Sequence, residues 1–436
     1  MRGATDRLAA SSPRRFLFLQ GPLSPLYRLI GARLSAAGHS VRRINFCVGD
    51  WLHWHGAGSS SYRGRLDTWP MWIETLLSQE GVTDLVVHGD TRPYHREAVI
   101  AAERLGIAVH VTELGLVRPG FLTLERGGLG VLSRFPVAPG ALARLSENAG
   151  EVDITPCYPA SFALEAWQDV SYHLPNVALG WLFFPHHRRH TPLPPVFDYI
   201  LWLPRLARAP LRRRRATALQ ETVLGWSEPF FVLPLQMEGD YQIVSQSPYA
   251  SMRDALREVV ASFAGHAPAG TRLVVKSHPL DNGWIDWRSA LADLAREFAL
   301  EERVVFLDGG DLRPLLARTS GVVTVNSTVG LDAMRAGVPV KSLVPAIYDG
   351  PGLTHEGDLD TFWSTPQPPA PLRVQAFVRA LAAFTQVRGS IHNRRGLNAA
   401  VEGISARLLA PFDGVPDLVN EPPPRLERAR ALGVRL

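Results

Sequence analysis

Short apolar runs alternate with helix-forming stretches, and glycines close the helices; this pattern restricts the fold more than any other feature. Phe16–Leu19 runs into the loop Gln20-Gly21-Pro22-Leu23-Ser24-Pro25, a helix to about Ala37, a stop at Gly38 and a second strand over Val41–Asn45. Asp84–His88 repeats the unit with a loop, a helix through Arg104, a stop at Gly106 and a strand over Ile107–Val111. Glycine adopts the left-handed conformation that ends a helix, and parallel strands need a crossover of this length. The alternation therefore predicts a parallel sheet with helices on both faces.

The pattern lapses between about 140 and 225 and then restarts. Phe230–Leu235, Arg272–Lys276, Val304–Leu307, Val322–Val325 and Val338–Ser342 read as strands of a second sheet, with helical stretches between them. A chain of 436 residues is too long for one ordinary core and suits two domains with an extension. The predicted architecture is α/β: two Rossmann-like domains over 1–140 and 226–365, a basic, aromatic and helical region over 141–225, and C-terminal helices with a tail over 366–436. Ligands of open α/β sheets sit beyond the C-terminal ends of the strands, so residues just after strands are the candidates.

Composition narrows the class. Apolar residues make up 46% and charged residues 20%, which excludes a disordered chain. The two cysteines, Cys47 and Cys157, are far apart, which suits a reducing compartment rather than a disulfide framework or zinc site. Phe16–Leu19 is too short for a signal-peptide core, and no run approaches the ~20 apolar residues that span a bilayer. The expectation is a cytoplasmic protein that lies on a membrane without crossing it. A net charge of +5 favours anionic partners.

In the second domain, Lys276 ends a strand and Ser277-His278-Pro279 follows, while Asn326-Ser327-Thr328 opens a helix after another strand. Hydroxyls and free N–H groups at a helix N-terminus suit a phosphate, although Ser327 or Thr328 also makes an ordinary cap. Lys276 and His278 supply charge and a donor for the same phosphate. Gln236 and Asp240 follow the first strand of this domain; Asp240 is a candidate nucleophile or a turn residue beside Gly239. From the first domain, Glu113 faces the same cleft, and two carboxylates across a cleft suit glycosyl transfer through an oxocarbenium-like state. Arg92, His95 and Arg118 follow strands as well and can hold phosphate or carboxylate groups.

Asn45, Asp50 and Arg63 belong to a loop rich in Trp, Gly and polar residues after the second strand and are read as substrate-binding. Its tryptophans, Trp51, Trp54, Trp69 and Trp72, serve such a loop or pack a core. Phe197–Arg215 combines Ile200, Trp202, Leu203 and Leu206 with Arg205, Arg208 and Arg212–Arg215, as an interfacial membrane segment does. No nucleic-acid motif accompanies these arginines, so no nucleic-acid partner is expected. Asp358-Leu359-Asp360 is too short a pattern to carry a metal, and none is expected.

Several of these segments, in the same order, resemble the capsule polysaccharide β-Kdo transferases of the KpsS/LipB type. They are Gln20–Pro25, Ile44–Cys47 with Gly49-Asp50-Trp51, Gly89-Asp90 with Arg92–His95, Lys276 with His278–Asp281, Asn326–Leu331, and Ala346–Asp349 with Pro351–Thr354. The resemblance runs from about 16 to 355 and is looser over 140–225. It implies a GT-B-like fold with a cleft between the domains, CMP-Kdo as donor substrate without a further cofactor, and transfer of a first β-linked Kdo to a phosphatidylglycerol-type lipid at the inner membrane with retention. It places CMP on Lys276, His278, Pro279, Asn326, Ser327 and Thr328. Gln236 and Asp240 match the family's Gln-x-x-x-Asp motif, which carries the proposed nucleophile. Glu113 matches the first acid of a Glu-Glu-Gly motif; Leu114 stands where the second acid would be, and Gly128-Leu129 where the family has Asn-Gly. The implied partners are CMP-Kdo, the lipid acceptor, an anionic membrane surface along 197–215 and other capsule assembly proteins. The competing class is a non-catalytic export or scaffold protein that binds finished capsule glycolipid at the inner membrane.

Overall fold

The computed structural model describes residues 13–189, 193–239, 241–410, 422–434 and 436. Two sheets organise it. The first contains β1 (Arg15–Phe18), β2 (Ser40–Asn45), β3 (Ser59–Ser61), β4 (Asp84–His88), β5 (Ala108–Leu114) and β6 (Phe121–Arg126). The second contains β7 (Phe230–Pro234), β8 (Arg272–Lys276), β9 (Val304–Leu307), β10 (Gly321–Thr324) and β11 (Val340–Ser342) in the order β11-β10-β7-β8-β9, parallel throughout. All five residues of β4 and of β7 are buried, as strands covered by helices on both faces require.

The first sheet departs from the predicted all-parallel pattern. Its order is β12-β6-β5-β4-β1-β2-β3, where β12 (Gln386–Arg388) comes from the far end of the chain. β6 returns antiparallel on β5, and β12 pairs antiparallel with β6, Gln386 opposite Thr123 and Arg388 opposite Phe121. The helix Arg394–Leu409 then packs on the helix Leu26–Ala36 and contributes Ala400, Val401, Ile404 and Leu408 to the first unit's core. Residues 386–409, within the stretch read from sequence as C-terminal helices and a tail over 366–436, thus pack into the first unit and add a strand to its sheet. No local pattern announces a three-residue strand whose partner lies more than 250 positions away.

Each sheet has a point where strand order reverses, β1/β4 in the first and β7/β10 in the second. A glutamine side chain spans each. Gln20, after β1, accepts from Arg92 Nη1 at 3.2 Å, and Gln236, after β7, donates to Asn326 Oδ1 at 3.0 Å. These are the crevices where open α/β sheets bind ligands. The two units share an apolar interface in which Val117, Phe121 and Phe135 join Val232, Val322 and Tyr348. Arg425 pins it: its buried guanidinium donates to the carbonyls of Ser133, Phe135, Ala346 and Ile347, and burial lowers its pKa to about 10. The result is a GT-B-like arrangement of two Rossmann-like units about a common cleft.

The intervening region is helical, as expected. The helix Phe162–Phe183 docks on the first unit, Ala209–Leu224 buries Ala216 and Val223 against the second, and Pro195–Ala207 lies between them in sequence. Among the described residues, no helix is long and apolar enough to cross a membrane.

Candidate active site

A cavity of about 550 Å³ opens between the units, and both strand-end loop sets reach it. Glu113 and Arg118 line it from the first unit, and Gln236, His278, Asn326, Ser327 and Thr328 from the second. β5 runs three residues further than the sequence suggested, because the hairpin with β6 extends the ladder, so Glu113 is the penultimate residue of a strand rather than part of a loop. Its Oε1 accepts the Leu114 N–H at 2.9 Å and lies 3.6 Å from His88 Nε2. Burial, with Arg92 nearby, holds the His88 pKa well below the ordinary imidazole range. A neutral histidine thus stands behind a half-exposed carboxylate.

Gly89 makes room for this grouping. It sits at φ +68°, and a Cβ there would come within 3.4 Å of Glu113 Oε2 and 3.8 Å of Arg92 Nε. Gly89→Ala strains the backbone at this positive φ and puts a Cβ in van der Waals contact with the Glu113 carboxylate. Any activity that depends on Glu113 is expected to fall about tenfold or more in this variant, a displacement effect on positioned groups, and steady-state kinetics beside a thermal melt would separate it from simple unfolding.

On the opposite wall, Gln236 and Asn326 exchange two hydrogen bonds, since the Asn326 N–H also donates to Gln236 Oε1 at 3.3 Å. Ser327 caps the helix Thr328–Arg335, its Oγ accepting from the Val329 N–H at 3.3 Å, so the ordinary cap is realised within the candidate anion site. His278 Nδ1 accepts from the Leu280 N–H at 3.1 Å. Burial, then the cations of Lys276 and Arg118, lower its pKa to about 4. At neutral pH the ring is therefore uncharged with its proton on Nε2, a hydrogen-bond donor beside the helix start. Lys276 is buried, its Nζ 3.4 Å from the Ser277 carbonyl, and burial lowers its pKa; it and Pro279 are not among the residues lining the cavity.

The remaining sequence candidates divide. Asp240 lies outside the described residues; Met237, Glu238 and Gly239 line the cavity. Arg92 stands at the first crevice on Gln20. His95 is buried and neutral, with Nδ1 2.7 Å from the Gly89 carbonyl and Nε2 without a partner. Asn45, Asp50 and Arg63 are not brought to the cavity. Asp50 is buried and accepts from Arg43 Nη2, the Phe46 N–H and the Tyr172 hydroxyl, all at 3.0 Å; Asn45 accepts from Arg43 Nε at 3.0 Å and donates to the Trp54 carbonyl. Their polar atoms are used internally, so these two read as structural. Arg63 is exposed and lies over the Phe184 ring. Trp69 is core, packed with Phe46, Tyr62 and Tyr94, whereas Trp51 is exposed.

Glu125 and Asp169 are among the cavity residues that sequence alone does not single out. Glu125, on β6, is buried, accepts from Ser133 Oγ, and is pushed up to about 7 by burial. An acid directly after Phe121-Leu122-Thr123-Leu124, still within the strand, is the available signal. Asp169 accepts from the Tyr199 hydroxyl at 2.6 Å and lies 3.6 Å from His173 Nε2, placing a polar cluster from the helical region on the cavity wall.

Comparison with known proteins adds a family. The profile described as "Capsule polysaccharide biosynthesis protein" matches residues 83–392. The Escherichia coli protein named capsule polysaccharide export protein KpsS is 29% identical over 384 residues, covering 86% of this chain and 96% of its own. The capsule polysaccharide modification protein LipB of Neisseria meningitidis serogroup A is 28% identical over 390 residues, covering 88% and 93%. Among solved structures, the Thermosulfurimonas dismutans protein KpsC, a beta Kdo 2,7 transferase, aligns over 91% of this chain and 100% of its own, with 17% identity and a TM-score of 0.43.

Proposed function

The chain belongs to the capsule polysaccharide biosynthesis protein family, and from that membership we propose that it is a retaining β-Kdo glycosyltransferase. It transfers Kdo from CMP-Kdo to a phosphatidylglycerol-type lipid and so begins the glycolipid linker of a bacterial capsular polysaccharide, working as a peripheral protein on the cytoplasmic side of the inner membrane. One observation carries the reading: the helix start Asn326–Thr328 with His278 on one unit and the Glu113 carboxylate on the other line the same cleft.

CMP takes the second unit, with its phosphate at the Asn326–Thr328 helix start beside His278. Asp240 attacks the anomeric carbon; a carbon–oxygen bond to Asp240 forms as the bond to CMP breaks, and CMP leaves with the electron pair as its phosphate. Glu113 then takes the proton of the acceptor hydroxyl, whose oxygen displaces Asp240 and restores the starting configuration. CMP departs as a stabilised anion, so well-placed donors matter more than a strong general acid.

The test is incubation of the purified chain with CMP-Kdo and a phosphatidylglycerol acceptor, read by mass spectrometry of the lipid. A Kdo mass increment supports the reading; no increment in conditions where the chain binds CMP favours the export or scaffold class. Within the same reading, His278→Ala and Thr328→Val are each expected to weaken CMP by about 1.5–3 kcal/mol, the value of a hydrogen bond to a charged group. Calorimetry checks this, and unchanged affinity in both moves the nucleotide elsewhere.

A further inference from the structure

The helices Phe162–Phe183 and Pro195–Ala207 present polar residues to the cleft and apolar ones to solvent. On the first, Trp167, Val170, Leu174, Val177 and Trp181 recur at helical spacing and form one exposed stripe, with Trp167 69% and Trp181 72% exposed. On the second, Val196, Ile200 and Leu203 form another, Leu203 65% exposed, with Phe197 and Leu206 exposed beside it. The Tyr199–Asp169 hydrogen bond ties the two helices together. Of the three acids on these helices, Asp169 and Asp198 line the cleft, where Asp198 accepts from Asn282, and Glu165 sits half-buried in the first turn of the longer helix, off the spacing of its stripe. Two adjoining apolar stripes with a tryptophan near each end of the longer one are far more than scattered surface apolarity.

Cations follow both helices in the chain. Arg188 and Arg189 follow the first helix; Arg208, Arg213 and Arg214 follow the second, and all five are exposed. Where the second helix ends, a cavity of about 710 Å³ is lined by Arg205, Arg208, Arg212, Arg215 and Arg288 with a single carboxylate, Asp308. Asp308 holds Arg205 at 2.9 Å and Arg212 at 3.1 Å. Those two arginines, read from sequence as membrane contacts, are therefore fastened to the second unit, and the apolar part of the surface lies largely on the helix before them.

We infer that this face docks on an anionic lipid bilayer, with the two stripes at the acyl boundary and these arginines at headgroup phosphates. Charge complementarity selects the bilayer over a second copy of this chain, which would bring one set of arginines against another. The inference deepens the lipid-acceptor reading: the same two helices form a cleft wall, so a lipid hydroxyl enters from the surface on which the protein sits. It rests on that reading for its purpose, whereas the surface itself is independent of any transfer.

The test is cosedimentation of the full chain with phosphatidylcholine vesicles and with vesicles that also contain phosphatidylglycerol, with CMP calorimetry as the control for folding. Wild type is expected to bind the phosphatidylglycerol vesicles and to be weakened by salt. The triple variant W167S, L174S, W181S is expected to lose about tenfold or more in vesicle affinity with CMP affinity unchanged, and R208Q with R215Q and R288Q to lose the preference for phosphatidylglycerol. Undiminished vesicle binding by the first variant overturns the inference. So does a wild type that ignores vesicles but self-associates, if that association is abolished by the same three serines. Vesicle binding without Kdo transfer leaves the docking face standing and sinks the transferase reading instead.

Discussion

Asp240→Ala is expected to abolish Kdo transfer, by roughly four orders of magnitude or more, while leaving CMP affinity within about twofold of wild type. The expectation follows from where β7 delivers the chain. Gln236 is fixed across the second unit's crevice by Asn326, and Met237, Glu238 and Gly239, which follow it in the chain, line the cavity. The sugar of a nucleotide held at Asn326–Thr328 must lie on this side of the cleft. A nucleophile acts on the anomeric carbon and not on the nucleotide, so its removal costs transition-state stabilisation and not ground-state binding. Glu113→Gln removes only proton transfer, worth about 10²–10⁴-fold, and should leave the first displacement able to proceed. Intact-mass measurement after CMP-Kdo exposure should therefore show a Kdo adduct that persists in Glu113→Gln and is missing from Asp240→Ala. Substantial transfer by Asp240→Ala would take the nucleophile's role away from this residue.

What the sequence made legible depended on whether a signal was local. β4 and β7 were readable because a strand covered on both faces is a continuous apolar run, and the loops that follow them marked the crevices. β3, three serines, and β12, whose partner β6 lies far along the chain, carry no such run; pairing and not propensity makes them strands. The same division holds in the site. Glu113, His278 and Asn326–Thr328, which the sequence marks by their places at or just after strand ends, line the cavity. His88 and Glu125 were missed because their chemistry comes from tertiary burial, which neutralises one and raises the pKa of the other to about 7. The ion pairs of Arg205 and Arg212 are hidden from sequence for a related reason: their partner, Asp308, is 103 and 96 residues away.

Asp50 shows how a buried ion pair resembles a binding residue in sequence, and its replacement should have the largest effect on stability. Asp50 and Arg43 are almost fully enclosed, their side chains 2% and 3% exposed, and they meet at 3.0 Å. Arg43 also donates to Asn45 Oδ1 and to the Leu19 carbonyl, while Asp50 takes the Tyr172 hydroxyl from the helix Phe162–Phe183. Alanine at position 50 leaves a guanidinium buried without its counter-charge, which costs about 3–5 kcal/mol, a large part of the 5–15 kcal/mol that holds a typical domain folded. Replacing both partners with apolar residues, Arg43→Met with Asp50→Leu, removes the orphaned charge and should recover much of the loss. Urea unfolding of the single and double variants measures the difference. Since Tyr172 loses its carboxylate acceptor in either case and keeps only Gln20 and the weak partner Cys47, the helix that forms a cleft wall and carries the longer apolar stripe should loosen in both, and vesicle binding should weaken even in the double variant, where stability returns. A stable Asp50→Ala protein that fails only in substrate binding would restore Asp50 to the role its loop first suggested.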